Sequence, residues 1–116
     1  MFKIVLPKFI EQISKTINFK IRDMLLDTLK KQIMGILNNY PVSRAAIFGS
    51  FARGEEDKNS DIDILIETSK PVSIFVILRM EKELGLITKR KIDIVEYSAI
   101  KQSIKQNILR EAIPLL

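Results

Sequence analysis

The sequence predicts an α/β (α+β) fold, a small mixed β-sheet flanked by helices. Three observations predict it. Blocks of apolar residues recur at helical spacing, short strand-like runs lie between them, and Pro or Gly punctuates the joins. Helical and strand patterns that alternate in this way pack as a sheet covered by helices. The 116 residues suit a single domain. That length buries roughly two-thirds of the unfolded surface.

Residues 8–38 read as helical. Phe9, Ile13 and Ile17 recur every fourth position, and Met24, Leu25, Leu29, Ile33, Ile36 and Leu37 continue the stripe. Asn18-Phe19-Lys20 interrupts it, which points to two helices with a short break. Residues 1–21 are then a helical N-terminal extension of a domain spanning 1–116. Asn38-Asn39-Tyr40-Pro41 is a stop signal, because Pro cannot continue a helix.

Residues 44–49 read as a first, buried strand, and residues 50–53 as a tight turn opening a short helix. Residues 54–60 form a charged loop. Residues 61–67 alternate cleanly, with Asp61, Asp63, Leu65 and Glu67 on one face and Ile62, Ile64 and Ile66 on the other. Pro71 suits the first turn of a helix that carries Ile74, Phe75, Leu78 and Leu84 inward and ends at Gly85. Residues 91–96 are a third strand. Residues 99–111 are a last helix striped by Ile100, Ile104 and Ile108, and Pro114 closes it.

Composition narrows the chemistry. There is no Cys and no His, so disulfides, thiolate metal sites and imidazole catalysis are excluded. Any metal must be held by oxygen, which favours Mg²⁺ or Mn²⁺. No stretch approaches the ~20 apolar residues of a membrane span, and the apolar run at the start is too short for a signal peptide. A cytoplasmic protein without a membrane partner is expected. The net charge of +5 gives solubility or draws an anionic partner such as ATP. No arginine-rich tract or aromatic-basic interleaving is present, which argues against nucleic acid as a partner.

Gly49-Ser50, ten residues, then Asp61-x-Asp63 is the informative spacing. A glycine after a buried strand lets the backbone turn sharply and a ligand approach closely. Ser50 follows where a helix should begin, with unpaired N–H groups that suit a phosphate. Alternatively, Ser50 only caps that helix. Residues at i and i+2 of a strand point the same way, about 6–7 Å apart at Cα. Two carboxylates so placed repel, and cations between them remove the cost. Asp93 repeats the anomaly in another strand. It is an ordinary outward residue, or, if its strand lies beside that of Asp63, a third ligand facing the attacking hydroxyl. Arg53, one turn from Ser50, suits a phosphate contact. The Lys89-Arg90-Lys91 run suits the same role, or is a solvated loop.

These residues resemble the polymerase-β-type nucleotidyltransferase superfamily. Phe48-Gly49-Ser50-Phe51-Ala52-Arg53-Gly54, Asn59-Ser60-Asp61-Ile62-Asp63 and Ile108-Leu109-Arg110-Glu111-Ala112 are similar to the minimal nucleotidyltransferases, the MNT domain, over residues ~22–113. The resemblance implies that residues 1–116 are one nucleotidyltransferase domain. It implies an antitoxin whose partner is a helical HEPN-domain toxin, silenced when AMP passes from ATP to one of its tyrosines. It also implies that Asp61 and Asp63 bind two metal ions, that Asp93 binds one, and that Gly49 and Ser50 hold the triphosphate. Alternatives are a small-molecule nucleotidyltransferase, an antitoxin acting by contact alone, and an ATP or nucleic-acid binder without turnover. The long apolar N-terminal run is a surface through which such a domain pairs, as a homodimer or hetero-oligomer.

Overall fold

The computed structural model describes residues 7–57 and 59–115, which divide into two compact units that part between Lys31 and Gln32. Helix α1 (Lys8–Leu37) starts where the N–H groups of Ile10 and Glu11 reach the Pro7 carbonyl at 3.0 and 3.2 Å. It runs through Asn18-Phe19-Lys20 without a break, against the expectation of two helices. None of these residues is Gly or Pro, and each costs a helix less than about 1 kcal/mol. In the first unit Phe9, Ile13, Ile17, Met24 and Leu25 are all more than half exposed.

The second unit is built on a four-stranded mixed sheet in the order β3-β2-β1-β4. Strand β1 (Val42–Phe48) pairs antiparallel with β2 (Ile62–Thr68), and β2 pairs parallel with β3 (Ile92–Glu96). Between β1 and β2 lie a four-residue helix, α2 (Ser50–Arg53), and the charged loop. Helix α3 (Ile74–Thr88) makes the crossover that a parallel pair requires. A 3₁₀ turn at Tyr97–Ala99 leads to α4 (Gln102–Glu111). The last helix is therefore shorter than expected, and β4 (Ile113–Pro114) follows it, antiparallel to β1 at Ala46 and Ile47. Pro114 thus belongs to an edge strand, the position in a sheet that tolerates proline.

Ile62, Ile64 and Ile66 are fully buried on one face of β2, as alternation requires. Leu65 is fully buried as well, so the centre of β2 is covered on both faces. Each such side chain contributes roughly 1.5–3 kcal/mol. The face of α3 differs from expectation. Ile77, Met80 and Leu84 are buried, whereas Ile74, Phe75 and Leu78 are 63%, 76% and 52% exposed. Residues 74–78 are all apolar, so periodicity alone could not phase this helix.

Candidate active site

Topology brings the chemistry to one end of the sheet. Because β1 and β2 are antiparallel, the end of β1 lies beside the start of β2, with Phe48 opposite Asp63. Because β2 and β3 are parallel, their first residues lie side by side. Asp63 pairs in register with Asp93, and in a parallel pair such neighbours share a face. Asp61 stands just ahead of β2, two residues before Asp63. The sequence could not supply this pairing, because alternation gives the face of each strand and not its neighbour.

Gly49 closes the end of β1. Its φ of 72° lies in the left-handed region, and it sits at the N-cap of α2. A Cβ built there would collide with the Asp63 Oδ2 and come within 3.1 Å of its Cγ. The turn is therefore pressed against that carboxylate, and only glycine fits. Ser50 is the first residue of α2, and Gly49 is the cap, so the alternative of a capping serine falls away. The turn is held from within: Arg53 N–H donates to the Gly49 carbonyl at 3.1 Å, and Glu55 N–H to the Ser50 carbonyl at 2.9 Å.

The electrostatics follow from the crowding. Burial, then the charges of Asp93 and Asp61, push the Asp63 carboxyl above the ordinary aspartate value, while Arg53 and Lys91 pull it back. Lys91 Nζ stands 3.8 Å from Asp61 Oδ2. Glu81, on α3, is pushed up by burial and then by Asp93. This fourth carboxylate carried no signal in the sequence, since it lies among charged residues of a helix. Arg53 is committed to acids, with Nε 3.0 Å from Glu55 Oε2 and Nη1 3.8 Å from Glu111 Oε2. Its guanidinium still acts on Asp63.

Arg90 has a role that sequence reasoning missed. Its Nη1 donates to the carbonyls of Asp57 and Ser60 at 2.9 and 3.0 Å, and its guanidinium lies 4.9 Å from the Phe51 ring centroid. It ties the loop before Asp61 to the helix after Gly49. Inside that loop Asp57 makes an Asx turn, accepting from Asn59 N–H at 2.7 Å, and its own N–H donates to Ser60 Oγ at 2.9 Å. A groove of about 570 Å³ lined by Thr68, Pro71, Glu96, Tyr97 and Lys105 lies at the opposite ends of β2 and β3, away from this chemistry.

The donor set fits a hard divalent cation: every ligand is a carboxylate oxygen, and Asp63 is crowded by like charge. The spacing is open. Among the described residues no three acidic groups close on one point. Asp61 faces Lys91, whose Nζ stands 3.8 Å from its Oδ2. Asp61, Asp63 and Asp93 are the groups that could hold such an ion.

The mixed sheet and its glycine turn belong to a protein of the nucleotide-transferring class, as its family shows. The chain belongs to the nucleotidyltransferase domain family, whose profile matches residues 29–115. Members of this family use a nucleoside triphosphate and divalent metal. Among relatives, the chain is 38% identical over 93 residues to a candidate protein adenylyltransferase of Methanocaldococcus jannaschii, covering 80% of this chain and all of that one. It is 29% identical over 91 residues to the protein adenylyltransferase MntA of Thermococcus cleftensis, covering 78% and 89%. Its fold matches a chain in the complex of a tri-AMPylated HEPN toxin with its MNT antitoxin from Shewanella oneidensis. There the TM-score is 0.62 at 15% identity, over 78% of this chain and 71% of that one. No described helix is long and apolar enough to cross a membrane.

Proposed function

We propose that this nucleotidyltransferase is the antitoxin of a toxin–antitoxin pair and transfers AMP from ATP to a tyrosine of a cognate HEPN-domain toxin in the cytoplasm. The observation that carries the reading is the register pairing of Asp63 with Asp93 beside the Gly49 turn. The adenylyltransferase relatives and the AMPylated toxin in the Shewanella complex support the choice of acceptor.

The assignment of roles follows from position. The Gly49-Ser50 turn presents backbone N–H groups to the triphosphate, and the bare Gly49 Cα lets it approach the carboxylates. Asp61, Asp63 and Asp93 are the residues that would hold two Mg²⁺ ions, or Mn²⁺, and Asp93 is the one assigned to the acceptor. When bound, those ions lower the pKa of the acceptor hydroxyl and neutralise charge on the leaving phosphates. The hydroxyl oxygen attacks the α-phosphorus in line. Its proton passes to Asp93, the bond to the β-phosphate oxygen breaks, and pyrophosphate leaves. Arg53, whose charge already acts on Asp63, offsets negative charge on the phosphates.

The test is transfer of labelled AMP to the toxin in Mg²⁺. Wild type labels a toxin tyrosine and Asp63→Asn does not; undiminished labelling by the variant overturns the assignment. A second reading, neutralisation by contact alone, draws on the open spacing of the acids. It predicts that the Asp61→Asn/Asp63→Asn double variant still silences the toxin.

A further inference from the structure

Arg53 stands between two glutamates that hold it differently. Its Nε donates to Glu55 Oε2 at 3.0 Å, whereas Nη1 faces Glu111 Oε2 at 3.8 Å, beyond hydrogen-bond reach. Glu55 is fixed by its backbone, since its N–H donates to the Ser50 carbonyl at 2.9 Å. Glu111 is the last residue of α4. Strand β4 brings it here, by pairing with β1 at Ala46 and Ile47, just short of the Gly49 turn. Leu115 N–H closes that pairing on the Ala45 carbonyl at 2.8 Å.

Glu111 runs against the rule for its own helix. The C-terminal end of a helix carries partial negative charge and favours a cation, so a carboxylate in the last turn is repelled. Arg110, in the same turn, reaches back to Asn107 Oδ1 at 3.4 Å. The cation that faces Glu111 is Arg53. An arginine fork binds phosphate through parallel N–H groups, and its terminal nitrogens can meet two oxygens at once. Glu55 takes the nitrogen at the base of the fork and so directs the terminal end. Glu111 sets a carboxylate oxygen against that end, at Nη1. We infer that the two glutamates act on Arg53 in opposite senses: Glu55 is a positioning residue that aims the fork, and Glu111 is a stand-in anion that releases Nη1 to the triphosphate. This exchange rests on the nucleotide site proposed above and makes the last turn of α4 part of it.

Calorimetric titration of the full chain with Mg²⁺ and α,β-methylene-ATP, whose α–β bridge cannot break, tests the exchange without toxin or transfer. Glu111→Gln should bind this analogue roughly two- to fivefold more tightly than wild type, the scale of an exposed ion pair. Glu55→Ala should bind it more weakly by a similar factor. Arg53→Ala should also bind it weakly, and in that background neither glutamate variant should change the affinity further. Both single variants should melt with wild type, because the two side chains are 64% and 50% exposed and such pairs add little to stability. A gain from Glu111→Gln that persists without Arg53 would be charge repulsion alone and overturns the exchange. Weaker binding by Glu111→Gln, or tighter binding by Glu55→Ala, overturns the assignment of roles. No change from either variant, in a chain that binds the analogue, overturns the exchange and leaves the nucleotide site standing. A wild-type chain that does not bind the analogue overturns both.

Discussion

Gly49 lies so close to Asp63 that one added methyl group would overlap the Asp63 Oδ2 atom. The turn that would cradle phosphate and the carboxylate that would hold metal are therefore one packed unit, joined across the β1–β2 pair at Phe48 and Asp63. Gly49→Ala should both strain the left-handed turn and displace the carboxylate. The expected cost is about 1–3 kcal/mol of stability, with transfer lost at temperatures where the protein is still folded. Urea unfolding and toxin labelling, measured side by side, check it. A variant as active as wild type would show that the contact yields at no cost.

Asp63→Asn tests the crowding directly. The Asp63 carboxyl is pushed above its ordinary value of 3.8 by burial and by Asp93 and Asp61. The folded chain therefore holds this proton more tightly than the unfolded chain. The contribution to stability is full below the unfolded value and is lost as pH rises through the folded one. Asparagine mimics the protonated form at every pH. In chelator, the variant should match wild type near pH 4 and become the more stable protein toward pH 7, while its transfer rate falls roughly 10²-fold or more. Urea midpoints across that range decide it; two profiles that stay parallel would mean the charges do not interact.

What the sequence made legible, and what it did not, divides along physical lines. The isoleucine face opposite Asp63 follows from the two-residue period of a strand, and Ile62, Ile64 and Ile66 are buried as it requires, while Asp61 stands just ahead of the strand. The Gly49 turn was readable because glycine alone relieves that geometry. Strand β4 was not, because two residues ending in Pro114 carry no period. The buried face of α3 was hidden by apolar residues on all sides. Arg90 looked like part of a solvated run, since its partners are backbone carbonyls 30 and 33 residues away, which leave no mark on composition.

Arg90→Ala should loosen the loop that leads into Asp61. It removes two hydrogen bonds from a charged donor and the stacking on Phe51. Loss of about 1–3 kcal/mol is expected. KM for ATP should rise more than kcat falls, because the loop and the Gly49 turn move together. Arg90→Lys should recover little, since an ammonium cannot bridge two carbonyls and a ring at once. Full recovery by lysine would reduce the role of Arg90 to charge.

Lys91→Met separates the two uses of positive charge at this site. The Lys91–Asp61 pair spans 3.8 Å between side chains that are 72% and 41% exposed. Its worth to stability is ~0–1 kcal/mol, so the melting temperature should barely move. Binding of a divalent cation should move more. Lys91 also pulls down the carboxyls of Asp63 and Glu81, so its charge is felt across the whole acidic cluster. A cation entering that cluster meets repulsion from Lys91 and must compete with it for Asp61. The variant should bind Mn²⁺, titrated calorimetrically without nucleotide, a few-fold to about tenfold more tightly in low salt. The gain should shrink as ionic strength rises toward 1 M, where the screening length falls to ~3 Å. Weaker Mn²⁺ binding by the variant would mean that Lys91 orders the carboxylates for the metal instead of opposing it.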